Sequence, residues 1–355
     1  MKKVYSLLLA SLLFVSVSHA ASKLWNGGTG GGKNWTSPGN WTPVGAPAAG
    51  DDITFNTVGT ITFSTLPASV AYNSITISAG SVVLAGSNMT FTIGGAAGTD
   101  FTIALGATLT MTNASITLAN SATADISGSL LVGTGRTFNT NGTSVVSTVT
   151  GSISNTGTVT CTTAAKLLMQ SGSVYTHSQN GGNVPTATWN SSSTCNITGI
   201  TGTDPTNVTQ TFGNLTWNCA GQTGNSFPAT VNITGNLTIA NTNGQEARPN
   251  DGATHTIGGD YIQTGGIIRW TRNTAGIVNV TGDVAISGGE CRLSTGNQQG
   301  TLNLGGDFSI TGSGIITETG TGSGIIFFAN GTHTYTSGGT VSNTINFVVN
   351  SVNMY

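Results

Sequence analysis

The chain has 355 residues, of which only 6% are charged, and its formal net charge at pH 7 is −2. Because charged residues are so few, the chain has no basic patch, and this excludes nucleic acid and anionic membrane surfaces as partners. Glycine accounts for 52 residues and proline for only 8, a composition that favours short strands joined by glycine turns over helices.

Residues 1–20 have the features of a secretory signal peptide. Lys2 and Lys3 provide the positive segment, residues 7–17 are apolar, and Ala20 precedes a predicted cleavage site before Ala21. The apolar run is too short to span a membrane, and no later run is long enough. We therefore predict an exported chain with no membrane-spanning segment after cleavage.

Residues 21–56 are predicted to form an N-terminal cap. They contain Trp25, Trp35 and Trp41, which are half of the six tryptophans of the chain. Because an open solenoid end exposes both its core and its strand edges, a terminal segment has to cover them. A carbohydrate-stacking platform is the alternative role for these tryptophans, and the terminal position favours the cap.

Residues 57–355 are predicted to form β-solenoid repeats, which are clearest in residues 213–331. A phrase of glycine followed by asparagine or aspartate recurs there at nearly even spacing. Its copies are Gly213-Asn214, Gly235-Asn236, Gly259-Asp260, Gly282-Asp283 and Gly306-Asp307. The repeat period, about two dozen positions, is in the range typical of solenoids.

Apolar residues keep the same phase as this phrase. The position after each Asn or Asp holds Leu215, Leu237, Tyr261, Val284 and Phe308. Apolar residues spaced by two indicate strands, and stacked coils can bury faces that a single coil cannot. We therefore predict an all-β fold, a parallel β-helix (β-solenoid) with right-handed winding. Gln263 and His255 interrupt apolar columns, and we expect both to be hydrogen-bonded core or edge residues.

Other segments are less regular. Residues 73–163 carry shorter strand patterns, which we interpret as tighter coils of the same solenoid, and residues 164–210 are predicted to be an irregular junction. Residues 243–254 are expected to loop out of the coil. Residues 347–355 are strand-like and no polar cap follows, so we expect that a partner covers this end or, preferably, that the chain continues.

The N-terminal segment and the repeats resemble large bacterial surface proteins with β-helical passengers. The resemblance rests on Trp25, Asn34-Trp35, Gly50-Asp51-Asp52 and the low-complexity segment 331–339. Two families share these features: autotransporter-associated β-strand repeat proteins and adhesin-like cargo of the type IX secretion route. The resemblance covers nearly the whole mature chain, implies export and solenoid architecture, and brings no catalytic residues. No C-terminal translocator or sorting domain of these families follows the repeats, so the export route stays open.

Four cysteines in an exported chain permit disulfides. Cys195 and Cys219 are separated by one repeat period, which is one coil, so they could stack and form a bridge if their side chains angle correctly. A buried pair of free thiols is the alternative. No cysteine or histidine spacing of the kind that binds zinc is present.

Asp260, Asp283 and Asp307 share one phase of the repeat and are the candidate metal ligands. Stacked carboxylates could hold calcium. Asparagine occupies the same position in two copies, Asn214 and Asn236, and both residue types cap backbone groups at corners. Capping therefore explains more of the pattern, and we predict no bound cofactor.

Arg269, Glu290 and Arg292 are the candidate catalytic residues. Arg269 and Arg292 are separated by one repeat period and are expected to stack on one face, with Glu290 beside Arg292. A polysaccharide lyase or glycoside hydrolase needs such charged groups on an exposed face, whereas an ion pair between coils is the simpler interpretation.

Threonine rows such as Thr108, Thr110 and Thr112 would suit an ice-binding or crystal-binding surface, but threonine is also an ordinary strand residue.

These observations predict an exported bacterial cell-surface or extracellular structural or adhesion protein, a non-catalytic β-helical scaffold. Surface glycans or other surface proteins are the expected partners. The alternative function is a β-helical polysaccharide-active enzyme.

Overall fold

The computed structural model describes residues 20–95, 98–140 and 145–350. The predicted signal peptide lies almost entirely outside these residues. The described chain is 49% strand and 2% helix, and its parallel sheets stack as a β-solenoid of about 13 turns. The predicted fold class is thus confirmed, whereas the right-handed winding stays a prediction. Within the described part of the chain, no helix is long and apolar enough to cross a membrane.

Two sheets are confined to the N-terminal part of the solenoid. Sheet A contains Ser22–Trp25, Trp41–Thr42, Asp52–Phe55, Ser74–Ile77, Phe101–Ile103, Ala124–Ile126, Ser147–Val149, Leu167–Met169 and Thr188–Trp189. Sheet C contains Val70–Tyr72, Met89–Ile93, Ala114–Leu118, Thr137–Asn139 and Thr158–Thr160. Two short 3-10 helices, Pro38–Asn40 and Ala164–Lys166, lie in connections.

Sheet B follows the whole solenoid. Its strands are Gly30–Asn34, Thr60–Thr65, Ser81–Leu84, Thr108–Met111, Ser129–Val132, Ser152–Asn155, Val174–His177, Thr194–Ile197, Asn214–Asn218, Leu237–Asn241, Glu246–Ala247, Tyr261–Thr271, Val284–Ser294, Phe308–Ile310, Ile315–Glu318, Tyr335–Ser337 and Thr340–Ser342. Sheet D joins it in the second half, with Asn232–Ile233, Thr254–Ile257, Gly276–Val280, Gly300–Leu304, Gly324–Phe328 and Ile345–Val349.

The register of sheet B confirms the predicted apolar column. Each member pairs in parallel with its counterpart in the next coil, in the order Leu215, Leu237, Tyr261, Val284 and Phe308. All five side chains are at most 2% exposed. Strands such as Thr108–Met111 alternate partly exposed and buried residues, because successive side chains of a strand point to opposite faces. The core is therefore a narrow file of side chains inside the coil.

Two sequence predictions are corrected by the register. The coils in residues 73–163 are not tighter, because the step from Phe101 to its partner Ala124 is as long as the step from Tyr261 to Val284. These coils simply contain three strands each. Sheet B passes through the predicted junction, residues 164–210, but its coils are shorter there, because the steps from Val174 to Thr194 and from Thr194 to Asn214 contain fewer residues than the step from Tyr261 to Val284. The irregular junction itself stays a prediction. The segment 243–254 does not loop out entirely, because Glu246–Ala247 pairs with residues 267–268.

Aromatic side chains close the N-terminal end. Trp25, Trp35 and Trp41 are at most 1% exposed, so their faces are not available to a sugar ring, and the stacking-platform alternative is wrong. Trp41–Thr42 also pairs antiparallel with Ser22–Trp25 and covers the outer edge of sheet A. This arrangement protects the edge and the core together.

The last described coil has no comparable cover among the described residues. Tyr335–Ser337, Thr340–Ser342 and Ile345–Val349 each pair with one strand there, and Tyr335, Phe347 and Val349 are exposed. No Asp, Glu, Lys or Arg follows Glu318 in the sequence, so these edges have none of the charges that commonly protect edge strands. The expectation that the chain continues stays a prediction.

Gln263 and His255 are core residues with hydrogen bonds, as predicted. The Tyr261 hydroxyl donates to Gln263 Oε1 over 2.5 Å, and Gln263 Nε2 donates to the carbonyl of Gly266 over 3.2 Å. His255 Nδ1 accepts a hydrogen bond from the backbone N–H of Val231 over 3.0 Å. His255 has no exposed surface, and burial lowers its pKa to about 4.

This pKa predicts a loss of stability in mild acid. The unfolded chain takes up the His255 proton near pH 6.5, whereas the folded chain takes it up only near pH 4. The stability that the folded chain gains from keeping His255 neutral is complete above pH 6.5 and is lost as the pH falls toward 4. The free energy of unfolding should fall by about 2 kcal/mol between pH 7 and pH 5 for this reason. We expect His255→Asn, which keeps an acceptor for Val231, to flatten this dependence in urea unfolding at several pH values. An equally steep dependence in the variant would contradict the assignment.

Candidate functional site

The densest group of ionisable side chains in the described residues lies on the second half of sheet B. We call it the Arg–Glu cluster, and its members are Arg248, Arg269, Arg292, Glu246 and Glu290. Arg269 pairs directly with Arg292 in the ladder, as predicted. Because Ala247 pairs with Ile268, the same register places Arg248 beside Arg269. Two residues before Arg269 in the same strand, Ile267 pairs with Glu246 on one side and with Glu290 on the other.

Each glutamate of the cluster is bound by arginine. Arg292 Nε and Nη2 donate to the two carboxylate oxygens of Glu290, each over 2.8 Å. Arg292 Nη1 also contacts Glu246 Oε1 at 2.5 Å, and Arg248 Nε contacts Glu246 Oε2 at 2.5 Å. Arg292 is therefore shared by both carboxylates, which is the strong, charge-assisted form of hydrogen bonding.

Arg269 is much less well paired. Its Nε lies 3.4 Å from Glu246 Oε2, yet this buried atom has no hydrogen-bond partner in the described chain. The side chain is 10% exposed, against 37% for Arg248 and 25% for Arg292. The central arginine of the column is thus the most enclosed and the least compensated.

The pKa shifts follow from these contacts. Burial alone would raise the pKa of Glu246, but hydrogen bonds and charge from Arg248 and Arg292 bring it below its ordinary value. Burial and then the charge of Arg248 lower the pKa of Arg269, against the opposing effect of Glu246. Hydrogen bonding to Glu290 raises the pKa of Arg292.

This arrangement does not provide a general acid. A catalytic acid in a glycoside hydrolase is a carboxyl group that holds its proton near neutral pH. Glu246 has the opposite shift, and Glu290 is held in a two-point contact with Arg292. The residues that the sequence singled out are thus together, in an arrangement suited to ion pairing.

A second feature is a ladder of side-chain hydrogen bonds, which we call the Asx ladder: Asn214, Asn236, Asp260, Asp283 and Asp307. One Oδ1 atom in each coil accepts the backbone N–H of the counterpart in the next coil, at 2.8 to 2.9 Å along the ladder. Asp307 Oδ1 continues the series to the N–H of Thr334 over 2.7 Å. These contacts give Asp260, Asp283 and Asp307 the capping role. In the described chain, no group of three acidic, cysteine or histidine residues could hold a metal ion.

The Asx ladder also explains the glycine of the repeated phrase. An ideal Cβ on Gly259 would lie 2.1 Å from Asn236 Oδ1, and one on Gly306 would lie 2.2 Å from Asp283 Oδ1. Neither glycine has a positive φ, so space is the reason for glycine here. Within the strands Tyr261–Thr271 and Val284–Ser294 the reason for glycine is conformational, because Gly266 and Gly289 have φ of 67° and 73°.

A pair of substitutions at Asp283 separates hydrogen bonding from charge. We expect Asp283→Ala to lower the free energy of unfolding by about 1–2 kcal/mol, because the N–H of Asp307 loses its acceptor. Asp283→Asn keeps the acceptor and relieves repulsion from neighbouring aspartates, so its effect should be within about 0.5 kcal/mol. Urea unfolding with and without added calcium measures both. A calcium-dependent stabilisation that Asp283→Asn removes would favour the metal alternative.

The four cysteines are buried free thiols. The predicted stacking of Cys195 on Cys219 is wrong, because this coil is shorter than the repeat period and places Leu215 opposite Cys195. Cys219 Sγ instead lies 3.4 Å from the carbonyl oxygen of Ile197. Burial raises the pKa of Cys219 to about 11 and that of Cys291 to about 12, so neither thiol is a nucleophile at neutral pH.

The threonine rows do not form a regular array. In the ladder, Thr108 lies beside Ser81 and Ser129, and Thr110 lies beside Val83 and Leu131. The outer face of sheet B therefore mixes hydroxyl and aliphatic side chains, and a repeated threonine lattice is not present at this position.

No protein-family model, no curated protein and no solved structure matches this chain. Functional inference therefore rests on the Arg–Glu cluster, the Asx ladder and the two ends of the solenoid.

Sequence reasoning missed the central position of Glu246. This residue lies in the segment that was expected to loop out, but it is only 9% exposed and contacts three arginines. A signal was present in the spacing, because Arg248, Arg269 and Arg292 follow one another at intervals close to one repeat period. This spacing predicts that Arg248 stacks beside Arg269, and Glu246, two residues before Arg248 in the chain, would then lie in the cluster as well.

Proposed function

We propose that the protein is a non-catalytic β-solenoid scaffold of the bacterial cell surface or extracellular matrix, with a structural or adhesive role. The observation that carries this proposal is the internal pairing of the Arg–Glu cluster. Glu246 and Glu290 both contact Arg292, so the strongest candidate catalytic group is occupied by its own ion pairs. A long, sparsely charged rod with a closed N-terminal end suits presentation or spacing.

Export is the second part of the proposal. Its support is the sequence of residues 1–20, with Lys2 and Lys3 before an apolar run and Ala20 before the predicted cleavage site. The resemblance to β-helical surface proteins agrees with this location. Expression with the native N-terminus in a Gram-negative host, followed by intact-mass analysis of the exported protein, should give a chain that begins at Ala21. An uncleaved chain retained in the cytoplasm would contradict export.

The decisive functional experiment is a polysaccharide panel. Purified protein is incubated with acidic and neutral polysaccharides, and ultraviolet absorbance and new reducing ends are followed. We expect neither signal to rise. Cleavage that disappears in an Arg269→Ala, Glu290→Ala, Arg292→Ala triple variant would establish the polysaccharide-active enzyme instead. Adhesion of protein-coated beads to bacterial or host surfaces, compared with beads coated with denatured protein, tests the adhesive role directly.

A further inference from the structure

The Arg–Glu cluster contains one more guanidinium than carboxylate. Its three arginines are opposed by Glu246 and Glu290. The next acidic side chain along the coil, Asp251, acts on Arg269 through its charge alone, because its oxygens form hydrogen bonds with the backbone N–H groups of Arg272 and Asn273 over 2.7 and 2.8 Å and none with Arg269. The five side chains of the cluster, three arginines and two glutamates, thus carry one net positive charge in a chain whose total charge is negative.

The hydrogen bonds locate this charge at Arg269. Glu290 is occupied by two contacts from Arg292, and Glu246 is occupied by Arg248 and Arg292. The guanidinium of Arg269 makes no hydrogen bond within the described residues, and its enclosed Nε has no partner. A buried donor such as this Nε is costly without an acceptor, and an external carboxylate beside the Arg269 guanidinium would add to the compensation that Glu246 gives only at 3.4 Å.

The column is open to solvent on both sides of Arg269. The Arg248 side chain is 37% exposed and that of Arg292 is 25% exposed. Neighbouring strands of a sheet lie about 4.8 Å apart, so the three guanidiniums form a short positive row along the solenoid axis. A planar guanidinium fork matches a carboxylate in a two-point contact.

We propose that Arg248, Arg269 and Arg292 form a binding site for the carboxylate groups of an acidic polysaccharide lying along the solenoid axis. One carboxylate of the polysaccharide would take the place of the missing third acidic partner beside Arg269. This inference deepens the proposed adhesive function and rests on it, because it names the class of surface glycan that the scaffold would hold.

The test is isothermal titration of the purified mature protein with a polygalacturonate oligomer. The same oligomer with methyl-esterified carboxylates is the neutral control, and dextran sulfate and inorganic phosphate are the other anions. We expect binding to the free acid that weakens with added salt, and no measurable binding to the ester. Arg269→Gln should weaken binding about tenfold or more. Arg272→Gln removes the same charge from an exposed residue outside the cluster and should change affinity less than about twofold.

Circular dichroism establishes whether Arg269→Gln is folded, and the more exposed Arg248→Gln provides a second variant that is expected to weaken binding. Equal binding of acid and ester, absence of binding to the acid, or unchanged affinity in both variants would overturn the site. Equally strong binding of dextran sulfate or phosphate would overturn its assignment to carboxylates. Binding of the acid followed by cleavage would leave the site standing and contradict the proposed scaffold function, whereas no binding and no cleavage would contradict the site alone.

Discussion

Replacement of Trp35 by alanine is expected to lower the free energy of unfolding by about 3–5 kcal/mol, which is typical of large aromatic deletions in a core. The Trp35 ring centroid lies 5.0 Å from that of Phe63 and 5.2 Å from those of Trp41 and Phe91. Its Nε1 donates to the Tyr72 hydroxyl over 3.0 Å, and the Trp41 indole N–H donates to the Trp35 carbonyl over 2.7 Å. The substitution therefore creates a cavity where the solenoid is closed.

The loss should begin at the N-terminal end. Coils of a solenoid contact mainly their neighbours, so the first coils are expected to open before the rest. Amide hydrogen exchange should show lost protection in residues 52–93 and retained protection in residues 276–304. Trp35→Phe keeps most of the apolar volume and should cost less, and Val58→Ala, at an 82% exposed position, should change stability by less than about 0.5 kcal/mol. Uniform loss of protection along the chain would contradict a local cap.

Gly282→Ala is expected to destabilise the solenoid by about 3 kcal/mol, although it adds a single methyl group. An ideal Cβ at this position would lie 2.3 Å from Asp260 Oδ1 and 2.8 Å from the carbonyl oxygen of Gly259. Both contacts are with the preceding coil, and one is with backbone. Adjacent coils would have to separate, which would weaken the hydrogen bonds of the ladder on either side.

The matched control is Gly224→Ala. Gly224 has no atom within 4 Å of an added Cβ and no positive φ, so this substitution should be neutral within about 0.5 kcal/mol. Asp260→Ala removes the Oδ1 atom that a Cβ at position 282 would meet. Added to Gly282→Ala, it should therefore recover part of the lost free energy of unfolding, because the two sites are in contact and their effects should not add. Urea unfolding of the four variants measures this coupling. A neutral Gly282→Ala would show that the glycine is not required by the stacking of coils.

The solenoid could be predicted from the sequence because its repeat is read directly as spacing. Leu215 and Leu237 follow the glycine phrase at the same distance, and they pair in the structure. The replacement of sheets A and C by sheet D has no such signal, since it depends on where each coil bends. The last strand of sheet C is Thr158–Thr160, that of sheet A is Thr188–Trp189, and the first strand of sheet D is Asn232–Ile233. The predicted stacking of Cys195 on Cys219 failed for a related reason: a constant repeat period was assumed, whereas the coil that begins at Cys195 is shorter and returns at Leu215.

The candidate site was predictable only in part. The stacking of Arg269 and Arg292 follows from a spacing of one coil and is seen in the ladder. The role of Glu246 depends on a short strand, Glu246–Ala247, whose pairing with residues 267–268 brings the carboxylate under the arginines. So short a strand within a polar, glycine-containing segment gives too little apolar alternation to be recognised as a strand, and the spacing of Arg248 from Arg269 is the signal that the sequence does contain. The lack of a hydrogen bond to Arg269 Nε is likewise a property of three-dimensional packing.

The most direct test of the ladder of coils is a pair of electron spin resonance distances between nitroxide labels. Thr62, Thr176 and Ser309 are partly exposed members of one column of sheet B, with five strand steps between the first two and eleven between the first and the last. Cysteines introduced there can be labelled selectively, because the native cysteines are buried. The solenoid predicts mean distances of about 24 Å for the 62–176 pair and about 53 Å for the 62–309 pair. Similar distances for the two pairs, or a 62–309 distance below about 35 Å, would contradict a continuous rod.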